Sequence, residues 1–332
     1  MKNKKKLILD DISEDEEDSK KPANILNSEF TQLLTDEIKF LKDGIYIDTK
    51  GLQINDKRYS MNFKNEIIVD KCIGTGSAAK VEKIHLKSNT TKFYAMKTIS
   101  VYKKENRVQL LNDLKNYIIS QGDCPFLLKF YGCFFETGNV SIVLEYMQEG
   151  DLKSLIEDYQ KRKIRIPEWL IKRIIEQTLH GLAFIHNINH QIHLDLKPEN
   201  ILLSKSRDVK ISDFGIAKAL DFTNANAKTF IGTLFYMSPE RLANLPYTTT
   251  ADIWSLGIIL LEMVMLKYPF NECRSYIELL QYFNENTIEA KLKKAEGFYS
   301  KNLYTFIKLC LRMDSKKRPF AIDLLSHKWF FD

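Results

Sequence analysis

Cysteine is scarce and shows no pairing pattern: the five cysteines, Cys72, Cys124, Cys133, Cys273 and Cys310, are odd in number, far apart and free of any C-x-x-C pair. That argues against a disulfide framework or a zinc knuckle and makes a reducing, cytoplasmic compartment, with nuclear access open, the expectation. Long hydrophobic runs are also missing. The longest, Ile253 to Leu266, falls short of the ~18 residues of a membrane span and is interrupted by Glu262, so it is expected to be a buried helix. The N-terminal lysines precede three apolar residues, Leu7 to Leu9, too few for the ~7–15-residue apolar core of a signal peptide. Neither sign of charge dominates: 49 basic and 43 acidic residues leave a net charge of +6. Beyond the N-terminus the basic residues are scattered and no aromatic-rich strand pair accompanies them, so solvated surface is expected and no nucleic-acid partner. No internal repeat is visible. What remains is a chain of 332 residues, 44% hydrophobic and 28% charged, long enough for two lobes on a prior of ~150 residues per domain.

Residues 1–26 are charged and nearly free of aromatics, too polar to offset the entropy of ordering, and are expected to form a disordered tail. In it a basic cluster, Lys2 and Lys4 to Lys6, precedes seven acids in the nine residues Asp10 to Asp18. Residues 27–62 form an extension. Phe30, Leu33, Leu34, Ile38 and Leu41 fall at helical spacing behind a Ser28 N-cap, and Gly44 stops that helix. Ile45, Ile47, Leu52 and Ile54 then alternate with polar residues about Thr49-Lys50-Gly51, which predicts a small hairpin. The main domain spans 63–332. Its first lobe, 63–144, shows short strands broken by one amphipathic helix at about 105–120, and its second, 151–332, shows long helical periodicities. Residues 145–150, polar and ending in Gly150, suit a hinge.

Two constellations carry chemistry. In Ile73-Gly74-Thr75-Gly76-Ser77-Ala78-Ala79-Lys80-Val81 the glycines let backbone amides approach a phosphate unobstructed. A dinucleotide-binding fold would place a helix directly after such a loop and an acid ~20 residues on. Here the loop runs into the alternating Val81–Leu86 and then a second strand, Phe93-Tyr94-Ala95-Met96-Lys97. Lys97 is either an edge-strand lysine or the partner of an anion, because burying its charge alone is costly. The second constellation is His193-Leu194-Asp195-Leu196-Lys197-Pro198-Glu199-Asn200, followed by Asp213-Phe214-Gly215. It supplies a base, a phosphate-facing cation and two oxygen ligands of the kind Mg²⁺ prefers. Phosphoryl transfer asks for this set, since positioned cations and a hydroxyl-orienting acid are most of the catalyst. His186, His190 and His193 stand at i, i+4, i+7 but lack a nearby acid in a zinc-protease pattern, and the segment leaves its helix at Asn187. His193 reads as a packed histidine beside Phe214.

Six separated elements in this order resemble the protein kinase superfamily, from about Phe63 to Asp332. The resemblance implies an α+β, bilobal fold: a small β-rich lobe with one helix and a large, mostly helical lobe. It also implies ATP and Mg²⁺. On it, Gly74 and Gly76, with their loop neighbours Ile73, Thr75, Ser77, Ala78 and Ala79, cover the ATP phosphates. Val81 and Ala95 sandwich adenine, and Lys97, facing the helix acid Asp113, holds the α- and β-phosphates. Leu144 is the gatekeeper, and Glu145 and Met147 present hinge backbone to adenine. Asp195 is the catalytic base, Lys197 the partner of the γ-phosphate, Thr233 a further catalytic residue, and Asn200 and Asp213 the Mg²⁺ ligands. Lys197, two residues after Asp195, matches serine/threonine and dual-specificity kinases better than strict tyrosine kinases. Ser238-Pro239-Glu240 stands where Ala-Pro-Glu is usual, with Glu240 paired to Arg318, and Asp252-Ile253-Trp254-Ser255-Leu256-Gly257 marks the apolar helix as the pillar of the large lobe.

Within the superfamily, Ile231 to Leu242, carrying Tyr-Met-Ser-Pro-Glu-Arg, resembles the substrate-binding segment of mitogen-activated protein kinase kinases. This implies dual specificity, a mitogen-activated protein kinase as substrate and an upstream kinase as activator. Thr223 and Thr229 stand at the plant-type separation of phosphoacceptors, with Ala225 where the animal-type spacing would put one; the other reading is two ordinary loop threonines. Lys4-Lys5-Lys6-Leu7-Ile8-Leu9 resembles the family's docking motif, a nuclear-import or solubilising run being the alternative. Three positions depart from the pattern. Ala79 replaces the third glycine, Asp113 is shorter than the family's glutamate by about 1.5 Å, and Leu194 replaces the arginine that grips a phosphorylated activation loop. Lys218 and Arg107 are left to meet that phosphate. One alternative is a serine/threonine kinase of another branch, which substrate would decide; Leu194 and Asp113 motivate a second, a pseudokinase scaffold. The presence of Lys97, Asp195, Lys197, Asn200 and Asp213 argues against the scaffold.

Overall fold

The computed structural model describes residues 45–48, 51–54, 57–59, 66–76, 79–102, 110, 114, 124–213, 234–273, 275–293 and 297–332. Several sequence expectations lie outside the described residues. These are the N-terminal tail with Lys4, Lys5, Lys6, Leu7 and Leu9, the helix at 28–42, Ser77 and Ala78, Arg107, Asp113, and the stretch holding Phe214, Gly215, Lys218, Thr223, Thr229 and Thr233. Of the amphipathic helix expected at 105–120, Leu110 and Leu114 are described, both helical and fully buried. The chain divides into two compact units, Met1–Leu111 with Lys129–Tyr146, and Asn112–Leu128 with Met147–Asp332.

The first unit is built on strands. β1 (Ile45–Asp48) and β2 (Gly51–Ile54) pair antiparallel from Ile45 opposite Ile54 to Asp48 opposite Gly51, and β3 (Lys57–Tyr59) adds a third strand to the expected hairpin. Lys57-Arg58-Tyr59 is too short and charged to show alternation, which is why the sequence pattern missed it. The larger sheet orders β4 (Ile67–Thr75), β5 (Ala79–Leu86), β6 (Asn89–Ser100), β8 (Asn139–Glu145) and β7 (Phe130–Glu136), all antiparallel. The small sheet lies against β7. Side chains alternate across the large sheet. One face packs Ile84, Tyr94, Met96, Phe134 and Val143 into a buried cluster. The opposite face carries Val81 across from Lys97, and Ala95 across from Leu144.

The second unit is mainly helical, as the resemblance implies. α1 (Leu152–Lys161) starts at Asp151, whose carboxylate accepts from the Ser154 amide at 2.7 Å. α2 (Glu168–Asn187) ends where the sequence left its helix. Its first residue, Glu168, accepts from the Ser300 amide and hydroxyl and from Trp329 Nε1, fixing the start of α2 to the cap of α7 (Lys301–Cys310). The short strands β9 (Ile201–Leu203) and β10 (Val209–Ile211) pair beside α2. Helix and strand approach closely at Gly181, where a Cβ would stand 2.8 Å from Ile211 Cδ1 and 3.3 Å from the Phe126 carbonyl. After α3 (Pro239–Leu242), the apolar run forms α4 (Thr250–Met265), buried from Thr250 to Val264. Leu266, in the left-handed region at φ 57°, ends it. α5 (Tyr276–Tyr282), α6 (Glu285–Lys293), α7 and α8 (Ala321–Leu324) complete the unit. No described helix is long and apolar enough to cross a membrane.

One ion pair ties α3 to the C-terminal region. Arg318, 3% exposed, donates from Nη1 and Nη2 to the two oxygens of Glu240 at 2.8 and 2.7 Å, and from Nη1 to the Thr250 carbonyl at 2.8 Å. Burial pushes the Glu240 carboxyl up, but the bidentate arginine outweighs it and holds the group below its usual value. Glu240→Gln leaves Arg318 buried against a neutral amide and is expected to cost about 3–5 kcal/mol at pH 7. Because Glu240 is depressed in the folded state, its contribution is present above the unfolded carboxylate value and is lost as pH falls through the lower folded one. Denaturant melts at pH 7 and pH 3 are therefore expected to show the gap between variant and parent closing in acid.

Candidate active site

The first unit holds one half of the expected site. The β4–β5 connection closes by a 2.8 Å bond from the Gly76 amide to the Ala79 carbonyl. Neither Gly74 nor Gly76 is forced by crowding: a Cβ on Gly74 would meet Val81 at 3.7 Å and one on Gly76 the Ala79 carbonyl at 3.6 Å, and neither φ is left-handed. The bare backbone leaves room above the loop, which suits a phosphate cover. Val81, Ala95, Lys97 and Leu144 share one face of the sheet by register, with Lys97 half-buried and Leu144 buried. At the end of β8 the Glu145 amide donates to the Lys129 carbonyl at 2.9 Å.

The second unit holds the other half. Met147 is buried, and its carbonyl accepts from the Gly150 amide. Gly150 takes φ 74° and its own carbonyl accepts from the Leu203 amide at 2.8 Å, so the expected hinge glycine serves a fixed left-handed turn. The catalytic loop brings Asp195, Lys197 and Asn200 together. Lys197 Nζ lies 2.9 Å from Asp195 Oδ2, and Asn200 Nδ2 donates to the Asp195 carbonyl at 2.7 Å and to Oδ2 at 3.2 Å. The Asn200 carbonyl accepts from the Ser212 amide at 2.9 Å, which places Asp213 at the next position, left-handed at φ 47°. The amide of Asn200 is oriented by these donations, so its oxygen is turned from the Asp195 carbonyl. That oxygen and the Asp213 carboxylate are hard-oxygen donors of the kind a divalent cation of the Mg²⁺ type takes.

His193 is fully buried and structural, as its sequence context suggested. Its Nδ1 accepts from the Asp195 amide at 3.3 Å, so the proton is on Nε2, which faces the Ser212 carbonyl at 3.1 Å. The loop is anchored from α4. Asp252 Oδ2 accepts from His186 Nε2 and the His193 amide, both at 2.8 Å, and Oδ1 accepts from the Leu194 amide at 2.9 Å. Burial pushes the Asp252 carboxyl up, but the His186 bond leads the opposing effects and the group stays below its usual value.

A second buried acid was not visible as a partner in the sequence. Glu262, also on α4 and with no exposure, accepts from Lys153 Nζ at 2.7 Å and from Tyr236 Oη at 2.6 Å. Burial lowers the affinity of Lys153 for its proton, yet Glu262 wins and raises it; burial and Glu262 together push the Tyr236 phenol far above its usual value. Residues 234–242 are thereby pinned at Tyr236 and again at Glu240. These pairs span 109 and 26 positions, so no local motif announces them.

Comparison with known proteins agrees with this geometry. The family model for the protein kinase domain matches residues 67–330. The chain is 35% identical to mitogen-activated protein kinase kinase 1 of Arabidopsis thaliana over 80% of its own length and 74% of that protein. It is 34% identical to mitogen-activated protein kinase kinase 3 of the same plant, over 79% of its length but 49% of the relative. A MAP kinase kinase of Saccharomyces cerevisiae, MKK1/SSP32, is 33% identical over 85% of the chain and 56% of the yeast protein. The chain therefore belongs to the protein kinase family, and within it to the mitogen-activated protein kinase kinases. As a protein kinase it uses ATP with a divalent metal ion.

The Asn200–Asp195 contact generates a test. Asn200→Asp replaces a donor with a second carboxylate about 3.2 Å from Asp195 Oδ2, and like charges so close cannot both ionise freely. The variant is expected to lose at least about tenfold in kcat, with the acid limb of its pH–rate profile moved to higher pH. An unmoved limb would show that position 200 does not sense Asp195.

Proposed function

We propose that this kinase transfers the γ-phosphoryl group of ATP to threonine and tyrosine in the activation loop of a mitogen-activated protein kinase. The observation that carries the catalytic part is the orientation of Asp195. One of its oxygens is held by Lys197 and Asn200, which leaves the other to accept the proton of a substrate hydroxyl as phosphorus is attacked. Lys197, in the same contact, can swing to the γ-phosphate as charge develops there. Gly74 and Gly76 would cover the phosphates, with Lys97 on their α- and β-groups, Val81 and Ala95 about adenine, and Leu144, Glu145 and Met147 along its edge. Asn200 and Asp213 would hold Mg²⁺, whose chemistry is to neutralise phosphate charge and align the β- and γ-groups. The relatives' names support the substrate class.

Activation rests on the sequence. Phosphorylation of Thr223 and Thr229 by an upstream kinase adds about −1.5 to −2 charges at each. With Leu194 in place of arginine, the ordering this achieves is smaller than in relatives that keep the arginine. The tail segment Lys4-Lys5-Lys6-Leu7-Ile8-Leu9 would tether an acidic, apolar-pocketed face of the substrate kinase.

Incubation with ATP, Mg²⁺ and a panel of inactive mitogen-activated kinases, read by mass spectrometry, is expected to show both phosphothreonine and phosphotyrosine in one activation loop. Phosphorylation confined to serine and threonine would remove dual specificity. Asp195→Asn is expected to lose ~10²–10⁴-fold in rate. A Thr223→Ala, Thr229→Ala double variant is expected to resist activation by the upstream kinase; one that activates fully would free those threonines of the role.

A further inference from the structure

The residue preceding the base is in an unfavourable conformation. Leu194 has φ 64°, a left-handed backbone that brings Cβ too close to the following carbonyl oxygen and that a residue with a Cβ adopts at a cost. Something in the second unit has to hold it there. On one side its amide is taken by Asp252 Oδ1. On the other, Arg241 Nη1 donates to the Leu194 carbonyl at 2.7 Å.

That carbonyl and the Asp195 amide belong to one peptide plane, and the amide edge is held by His193 Nδ1 at 3.3 Å. The plane is thus gripped at both edges. Rotating it to bring Leu194 to negative φ would break the arginine bond and the histidine bond together and would swing the Cα of Asp195. Arg241 is itself placed by its surroundings. It follows Glu240, which Arg318 clamps, its guanidinium lies 5.6 Å from the Tyr247 ring centre, and it is half-buried. A charged donor on a short bond in such a setting is among the stronger hydrogen bonds available.

We propose that Arg241 is a positioning residue for Asp195: from the end of the 231–242 segment it holds the Leu194–Asp195 peptide, and with it the left-handed Leu194, in the orientation that aims the base. A leucine at 194 has no cation of its own, so the guanidinium bound to the catalytic loop comes from position 241. This rests on Asp195 being the base. It also makes the substrate-binding segment a structural part of the catalytic loop, so that changes in the segment reach the base through one hydrogen bond.

The test is a set of variants in the full-length protein, assayed for kcat, for KM of ATP and for melting temperature. Arg241→Ala is expected to reduce kcat about 10- to 100-fold, the loss expected for a misaligned reacting group, with KM for ATP changed less than about threefold and the protein still folded at the assay temperature. Arg241→Lys, which keeps a cationic donor, is expected to retain much more kcat than Arg241→Ala. Leu194→Gly supplies the readout that a merely structural arginine would not move, because glycine takes positive φ at no steric cost. Added to Arg241→Ala, it is expected to restore kcat about threefold or more. Parent-like kcat in Arg241→Ala overturns the proposal, as does a loss that Leu194→Gly leaves unrelieved. If Arg241→Ala does not fold, a lysine variant that is folded yet inactive overturns it instead. Asp195→Asn in the same assay keeps the two readings apart: retained activity there defeats the base assignment, whereas an inactive Asp195→Asn beside an unaffected Arg241→Ala defeats only Arg241.

Discussion

Three donors converge on the two oxygens of Asp252, which has no exposure: the ring of His186 at the end of α2 and the amides of His193 and Leu194 at the start of the catalytic loop. A buried carboxylate without partners would shed its charge by taking up a proton. Here the donors hold it ionised, and in return the anion fixes the two successive peptides, 192–193 and 193–194, that lead into Asp195. The loop is irregular, bends through a left-handed residue and has no ladder of its own to stiffen it. Its order comes largely from one side chain on a helix buried along nearly its whole length, with Arg241 and His193 holding the peptide that follows.

The same helix fixes the segment expected to meet substrate. Glu262 stands ten positions, or nearly three turns, beyond Asp252 on α4, and takes the hydroxyl of Tyr236, while Ser255 between them donates to the Tyr236 carbonyl at 2.7 Å. Glu240 is held by Arg318, and Arg241 closes the circuit onto the catalytic loop. These buried or half-buried charges therefore act as rivets between an apolar pillar and two loops. A buried ion pair contributes little to stability over a well-packed apolar set, but removing one partner is severe. Such an arrangement specifies loop geometry more than it adds stability.

Much of this was legible because its signals are contiguous. The glycine loop, the Asp195–Asn200 run and the Asp213 motif each carry their chemistry in a few neighbouring residues, and the alternation of Val81 to Lys97 announced the strands that position half the site. The helix α4 was legible because its run is mostly apolar yet broken by Glu262 and too short to span a membrane, which leaves a buried helix. The pairings were not. Asp252 meets His193 across 59 positions, Arg241 meets Leu194 across 47 and Lys153 meets Glu262 across 109, and no periodicity encodes which buried charge finds which. Glu240 with Arg318 was expected only through the family resemblance. Leu194 in the sequence looked like a simple loss of a cation; in the structure its left-handed backbone is what the neighbouring donors are arranged around.

If the catalytic loop takes its shape from Asp252, an amide at that position should undo it, because asparagine presents one acceptor where two oxygens served three donors. The decisive measurement is kcat of Asp252→Asn under saturating ATP and substrate, with the fold checked by its melting transition. A folded variant whose kcat falls by about 100-fold while KM for ATP stays near the parent's is the result expected. A folded variant turning over at the parent rate would contradict the account, since the loop would then hold its geometry without the carboxylate.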